Sequence, residues 1–236
     1  MYKLISATPS PYARKVRIAL HEKNIAFELI TEVPWDSTTQ TPQHNPLEKL
    51  PVLVLADPSN SDTNGHRETG RKTKIPAPTA IYESRYVLEW LEAKHPTPSL
   101  MPDTIDARLF ARQIEVLCDG ICDALVLRFF ERQRGEGRVS AEWEARQLRK
   151  VNGGMRQLNA WVEECGADER GSLIGDRFGL ADLAVGCVCG YLDVRWREYG
   201  WRGEYPRLAE YVDGLQGRES FRKTVPRAQD IKDKIV

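Results

Sequence analysis

The chain reads as two unlike halves in tandem, an α/β unit followed by an all-helical domain. Three observations predict this division. Short apolar runs of strand character, at 2–6, 26–30, 50–55 and 79–82, are confined to the part before residue 95 and are interspersed with helical patterns. The stretch His95-Pro96-Thr97-Pro98-Ser99-Leu100-Met101-Pro102 then places three prolines between 96 and 102, a convincing linker. No alternating run follows it, and each later apolar pattern has helical spacing. The predicted organisation is therefore an α/β domain over 1–94, a linker over 95–104 and a helical bundle over 105–236.

At 236 residues, with 41% apolar and 29% charged side chains, the chain can bury a substantial core. Lys+Arg and Asp+Glu are both 34, so the formal net charge is zero, which argues against wholesale binding of nucleic acid or an anionic membrane. No apolar run approaches the ~20 residues that span a bilayer. The opening MYKLISATPS lacks the apolar core of a secretory signal, so a cytoplasmic location is expected. The five cysteines, Cys118, Cys122, Cys165, Cys187 and Cys189, are odd in number and argue against a disulfide framework. Cys118 and Cys122 would share a helix face, but His21, His44, His66 and His95 are scattered through the first half. We expect buried thiols and no metal site.

The first strand, Tyr2 to Ser6, runs directly into a helix with a clear start signal. Ser10 is placed to cap it and Pro11 falls at its first position, where a missing N–H costs nothing. Val16, Ile18, Ala19 and Leu20 would form its apolar stripe, with Arg14, Lys15, Arg17, His21, Glu22 and Lys23 on the polar side. Such a helix start, with free N–H groups beside a hydroxyl, is a natural anion seat, although most serines there only cap. Residues 26–30 read as the second strand. Val33 to Pro46 is polar and irregular, a loop or one short helix. Leu50 to Leu55 is an unbroken apolar strand, with Pro51 at its beginning or on an edge. Residues 57–78 look like an exposed, locally basic insertion. Strand character resumes at 79–82, and Ser84 would cap a helix that turns Val87, Leu88 and Leu91 inward. Past the linker, helices are expected from about Thr104 to Glu131, Ser140 to Cys165, Gly179 or Leu180 to Tyr191, and Tyr205 or Pro206 to Gln216. Gly153-Gly154 is a weak point in the second.

Four motifs in order carry a resemblance. They are Pro9-Ser10-Pro11-Tyr12-Ala13-Arg14-Lys15-Val16-Arg17; Asn45-Pro46-Leu47-Glu48-Lys49-Leu50-Pro51-Val52-Leu53-Val54; Tyr82-Glu83-Ser84-Arg85; and Gly175-Asp176-Arg177-Phe178-Gly179-Leu180-Ala181-Asp182-Leu183-Ala184. Together with the order of elements, they resemble the cytosolic glutathione transferases, in the serine-type, bacterial-style branch. The resemblance covers the chain apart from 57–78. It implies a thioredoxin-like first domain, an all-α second domain, glutathione as cosubstrate and a detoxification enzyme that pairs as a homodimer.

The resemblance also implies roles. Ser10 would donate a hydrogen bond to the glutathione sulfur and hold it as thiolate, with Pro11 beside it. Ser10 would act as an electrostatic stabiliser and not as a covalent nucleophile; no G-x-S-x-G elbow surrounds it, which argues against a hydrolase. Pro51 matches the family's cis-proline, and the backbone of Leu50 would pair with the cysteinyl part of the tripeptide like an added strand. Glu83 would take the γ-glutamyl ammonium and Ser84 the neighbouring carboxylate. Lys49 would reach the glycyl carboxylate. A small hydrophobic electrophile would lie between the domains, against Tyr12, Arg128, Phe129 and Arg132.

Two departures stand out. Glu48 occupies a position where the family usually has glycine, which bears on the loop that carries Lys49. Gly179 replaces the Ser or Thr that normally opens the capping box with Asp182, so Gly179→Ser is expected to raise thermal stability slightly. Two other functions remain open. One is a non-catalytic binding module of the same fold, which would not need a tripeptide site. The other is a thiol oxidoreductase or isomerase, which would want cysteine in place of Ser10.

Overall fold

The computed structural model describes residues 1–55, 78–167 and 172–233. Apart from Pro78, the polar insertion expected at 57–78 lies outside the described residues. The first domain holds a four-stranded sheet in the order β2-β1-β3-β4, built from β1 (Tyr2–Ser6), β2 (Phe27–Thr31), β3 (Val52–Val54) and β4 (Ala80–Tyr82). β1 pairs parallel with β2, Leu4 opposite Leu29, and antiparallel with β3, Leu4 opposite Leu53. β3 and β4 are antiparallel, with Leu53 opposite Ile81. The crossover between β1 and β2 is α1 (Pro11–Glu22), and α2 (Ser84–Lys94) follows β4 at once. The all-helical domain begins with α3 (Ile105–Gln133) and α4 (Ala141–Glu164), then α5 (Leu180–Arg195), α6 (Trp201–Glu204), α7 (Pro206–Gln216) and α8 (Glu219–Lys223). The arrangement is the glutathione transferase fold. No described helix is long and apolar enough to cross a membrane.

Helix α1 departs most from the sequence reading. Most of its expected polar side is not in water: Arg14, Lys15, Arg17 and Lys23 are buried, and only His21 and Glu22 are partly exposed. The helix lies between the sheet and the second domain, so both faces are covered and its cations must find partners inside. Lys15 Nζ sits 3.1 Å from Glu115 Oε1 and 2.7 Å from Asp119 Oδ1, both on α3. Burial alone pulls the ammonium down, but the two carboxylates more than offset it and hold its pKa above the usual lysine range. Lys23 Nζ donates to the carbonyls of His95 (2.8 Å) and Pro98 (2.7 Å) and pairs with Glu92, which ties the linker to α1. Arg14 Nη1 donates to the Gly186 carbonyl at 3.3 Å, and its guanidinium lies over Phe221. That contact needs glycine on α5, since a Cβ at Gly190 would stand 2.1 Å from Arg14 Nη1 and one at Gly186 would stand 2.3 Å from Phe221.

Other expectations need correction. Glu83, and not Ser84, is the capping residue of α2, and Ser84 is its buried first residue. Helix α4 runs unbroken through Gly153-Gly154, because Gly154 makes room for Ile121 of α3. Four of the five cysteines are buried, whereas Cys165, at the C-cap of α4, is exposed. The short α6 and α8 give too few turns for a periodic signal, and the sequence reading omits them.

The start of α5 overturns the expected benefit of Gly179→Ser. Asp182 supplies the reciprocal half of the box, accepting from the Gly179 N–H at 2.7 Å, and it also takes the Leu173 N–H at 2.6 Å and the Tyr211 hydroxyl. Burial raises its pKa to about 6 against those donors. The Leu180 N–H, however, donates to the Leu100 carbonyl of the linker, and a Cβ at 179 would stand 2.8 Å from that oxygen. A serine must displace the linker from the helix start. Gly179→Ser should therefore lower stability by about 1–3 kcal/mol, the usual penalty of forced overpacking. A melting temperature at or above that of the wild type would show that the linker yields freely.

Glu48 gives a second stability test. Its φ is +55°, so a glutamate holds the left-handed conformation that glycine adopts without strain. Glu48→Ala keeps the strain and Glu48→Gly removes it. The glycine variant should melt above the alanine variant by about 2–4 °C, the shift that ~1 kcal/mol produces in a chain of this size.

Candidate functional site

Between the domains lies a cleft of about 710 Å³. One end is built by the first domain. Ser10 caps α1 with extended backbone (φ −62°, ψ 118°), and its Oγ accepts from the Ala13 N–H at 3.1 Å. That bond uses an oxygen lone pair, so the hydroxyl proton remains available to a group in the cleft. No acidic side chain lies in the first turn of α1 to neutralise its positive end.

The loop from β2 to β3 is ordered by two polar hubs. Glu32 Oε2 accepts from the hydroxyls of Thr39 (2.6 Å) and Thr41 (2.9 Å) and from the Gln40 N–H (3.1 Å). Burial raises its pKa, but these donors outweigh that and leave it below the usual carboxylate range. Asn45 is fully enclosed: its Oδ1 accepts from the Leu47 N–H at 2.9 Å and its Nδ2 donates to the Lys49 carbonyl at 2.7 Å. These bonds hold Lys49 and Leu50 at the cleft, next to a cis Leu50–Pro51 bond. From the other side Glu83 enters with φ +72°, and the Ser84 hydroxyl donates to its Oε1 at 3.4 Å.

Ser10, Pro11, Lys49, Leu50 and Glu83 thus border one cleft, while Pro51 and Ser84, the next residues after Leu50 and Glu83, are buried and do not line it. Tyr12 and Phe129 line the same cleft. Arg128 and Arg132 do not, which corrects their expected facing. Both guanidiniums stack on Trp196, at 4.5 and 4.4 Å from a ring centroid, and both pair with Glu144 of α4. One step in helix phase separates Phe129 from Arg128, and sequence alone did not fix that phase.

Several lining residues were not foreseen. Trp35 meets Phe130 edge to face at 4.4 Å, joining the β2–β3 loop to α3. The Tyr12 hydroxyl donates to Asp123, and burial together with that carboxylate raises its pKa far above the tyrosine range, so it stays protonated. Arg195 ends α5, with its guanidinium 4.6 Å from the centre of the Phe129 ring. The segment after α8 crosses the mouth: Gln229 Oε1 accepts from the Thr8 N–H at 2.9 Å and Asp36 Oδ1 from the Lys232 N–H at 2.9 Å. That tail has no periodicity, so nothing in its pattern announces a lining role. Among the described residues, no three His, Cys, Asp or Glu side chains are grouped to hold a metal ion.

Comparison with known proteins agrees with this architecture. Residues 9–94 match the family model of the glutathione S-transferase N-terminal domain, and residues 141–214 match that of the C-terminal domain. The uncharacterized GST-like protein YibF of Escherichia coli (strain K12) is 33% identical over 95% of this chain and 98% of its own. A glutathione S-transferase from Methylobacterium radiotolerans, crystallised with glutathione sulfonate, is 53% identical, with a TM-score of 0.86 over 100% of this chain and 99% of that one. Another, from Methylobacillus flagellatus with glutathione bound, is 33% identical, with a TM-score of 0.81 over 96% and 100%. With both domains matched, and with close relatives along nearly its whole length, the chain belongs to the glutathione S-transferase family.

Proposed function

We propose that the protein is a glutathione transferase of the serine type, a cytoplasmic homodimer that joins glutathione to a small electrophile. The observation that carries this reading is the capped start of α1. There the Ser10 hydroxyl, with its proton available, faces a cleft bordered by Leu50 and Glu83. The bound glutathione and glutathione sulfonate of the relatives support the same occupant.

The chemistry needs a thiolate. A free thiol has a pKa of about 8.5, so only a few per cent is ionised at neutral pH. A hydrogen bond from Ser10 to the charged sulfur contributes roughly 1.5–3 kcal/mol, about one to two pKa units. The Leu50 backbone groups hold the cysteinyl unit, and Glu83 takes the γ-glutamyl ammonium. Ser84 and the start of α2 favour the adjoining carboxylate, and Lys49 the glycyl one. The thiolate then attacks a carbon that bears a leaving group. A carbon–sulfur bond forms, chloride or its equivalent departs with the bonding pair, and the thiol proton has already passed to solvent.

Retention on immobilised glutathione, followed by conjugation of a chlorodinitrobenzene, tests the proposal. Ser10→Ala should bind glutathione nearly as well and lose about tenfold or more in kcat/KM, the cost of one charge-assisted hydrogen bond. Equal rates for the two proteins across the pH range would remove Ser10 from the mechanism.

A further inference from the structure

The charged side chains in and around the cleft are unevenly paired. Asp123 accepts the Tyr12 hydroxyl, and Asp119 is held by Lys15 and by Arg85, at 2.8 Å from Arg85 Nε. Arg85, Arg128 and Arg132 each have a carboxylate partner. Arg195 differs. Half-buried at the end of α5, its guanidinium rests on Phe129, and its Nη2 donates to the Gln229 carbonyl at 3.3 Å. Among the described residues no carboxylate pairs with it. A guanidinium has five donors in a planar fork matched to a carboxylate. Here a ring face and a neutral carbonyl hold that fork in place against aromatic walls, so a ligand need not order it.

We propose that Arg195 is a specificity-determining residue that recognises an acidic group on the electrophile, so that the preferred substrates are apolar or aromatic electrophiles bearing a carboxylate. The inference rests on the transferase reading above and adds the substrate class. Phe129, Phe130 and Trp35 supply the apolar contact, and Arg195 supplies the charge that sets orientation. Arg195 also sits in the last turn of α5, where a cation suits the helix dipole, so the test must separate that structural role from recognition.

The probes are two product conjugates, glutathione joined to nitrobenzoate and its neutral nitrobenzamide counterpart, with plain glutathione as the reference, all titrated by calorimetry. The wild type should bind the carboxylate conjugate about tenfold more tightly than the carboxamide, with the margin shrinking at high salt. Arg195→Gln should erase that preference without changing the affinity for plain glutathione, and Arg195→Lys should restore part of it. A wild type without preference, or an Arg195→Gln variant that keeps it, overturns the proposal. So does an equal loss for both conjugates, which marks a structural role. If plain glutathione binds and the preference is missing, this inference alone fails. If plain glutathione does not bind, the transferase reading fails with it.

Discussion

One buried carboxylate, Asp119 of α3, ties together three helices that position residues of the cleft. It pairs with Lys15 of α1 at 2.7 Å and with Arg85 of α2 at 2.8 Å. Ser10 and Tyr12 lie less than two turns before Lys15, and Glu83 lies two residues before Arg85. Asp123 and Phe129 follow Asp119 along the same helix. Fixing these charges against one another therefore fixes where the first domain's hydroxyl faces the second domain's rings. The geometry is unforgiving, because a buried ion pair that loses one partner costs about 3–5 kcal/mol through the charge left behind. Glu115 completes the cluster by sharing Lys15 and accepting from Arg112 at 3.0 Å.

The same constraint explains why periodicity misplaces the charged face of α1. Arg14, Lys15 and Arg17 look like a solvated face under a period of 3.6, and periodicity assumes that charge means water. In this fold a second domain covers that face, and the glycines at 186 and 190 of α5 leave room for Arg14 and Phe221 to enter. Charge spacing in one segment cannot announce a partner a hundred residues away. Strong local signals fared better. Thr104 and Ser140 cap α3 and α4 through bonds to the Ala107 and Trp143 N–H groups, and the strand–helix order of the first domain followed from its apolar runs. The capping box at Gly179 shows both outcomes. Asp182 reaches back to the helix start, but the reason for glycine lies in the linker carbonyl of Leu100, far away in sequence.

The site divides along the same line. The proposed glutathione-binding part is built from short contiguous motifs, so Ser10, Lys49, Leu50 and Glu83 are legible in the sequence, and all four line the cleft. The rest of the cleft depends on the phase of α3 and on a tail with no pattern. The sequence points to Tyr12 and Phe129, which line the cleft, and to Arg128 and Arg132, which do not, and it carries no signal for Arg195, Asp123 or Trp35. Aromatic residues on a long helix are common in packed cores, and only the positions of α5 and the β2–β3 loop distinguish a wall from a core. In the proposed reading, substrate choice resides among the aromatic residues and Arg195, and thiol activation at the motif-built start of α1.

In the proposed mechanism the Ser10 hydroxyl stabilises a charged sulfur at the start of α1. Titrating the ultraviolet absorbance of thiolate in the glutathione complex measures this without any electrophile. The wild type should show an apparent thiol pKa about one to two units below the free value of about 8.5, returning toward it in Ser10→Ala. A bound thiol that titrates like free glutathione, or one equally acidic without the hydroxyl, would contradict that mechanism.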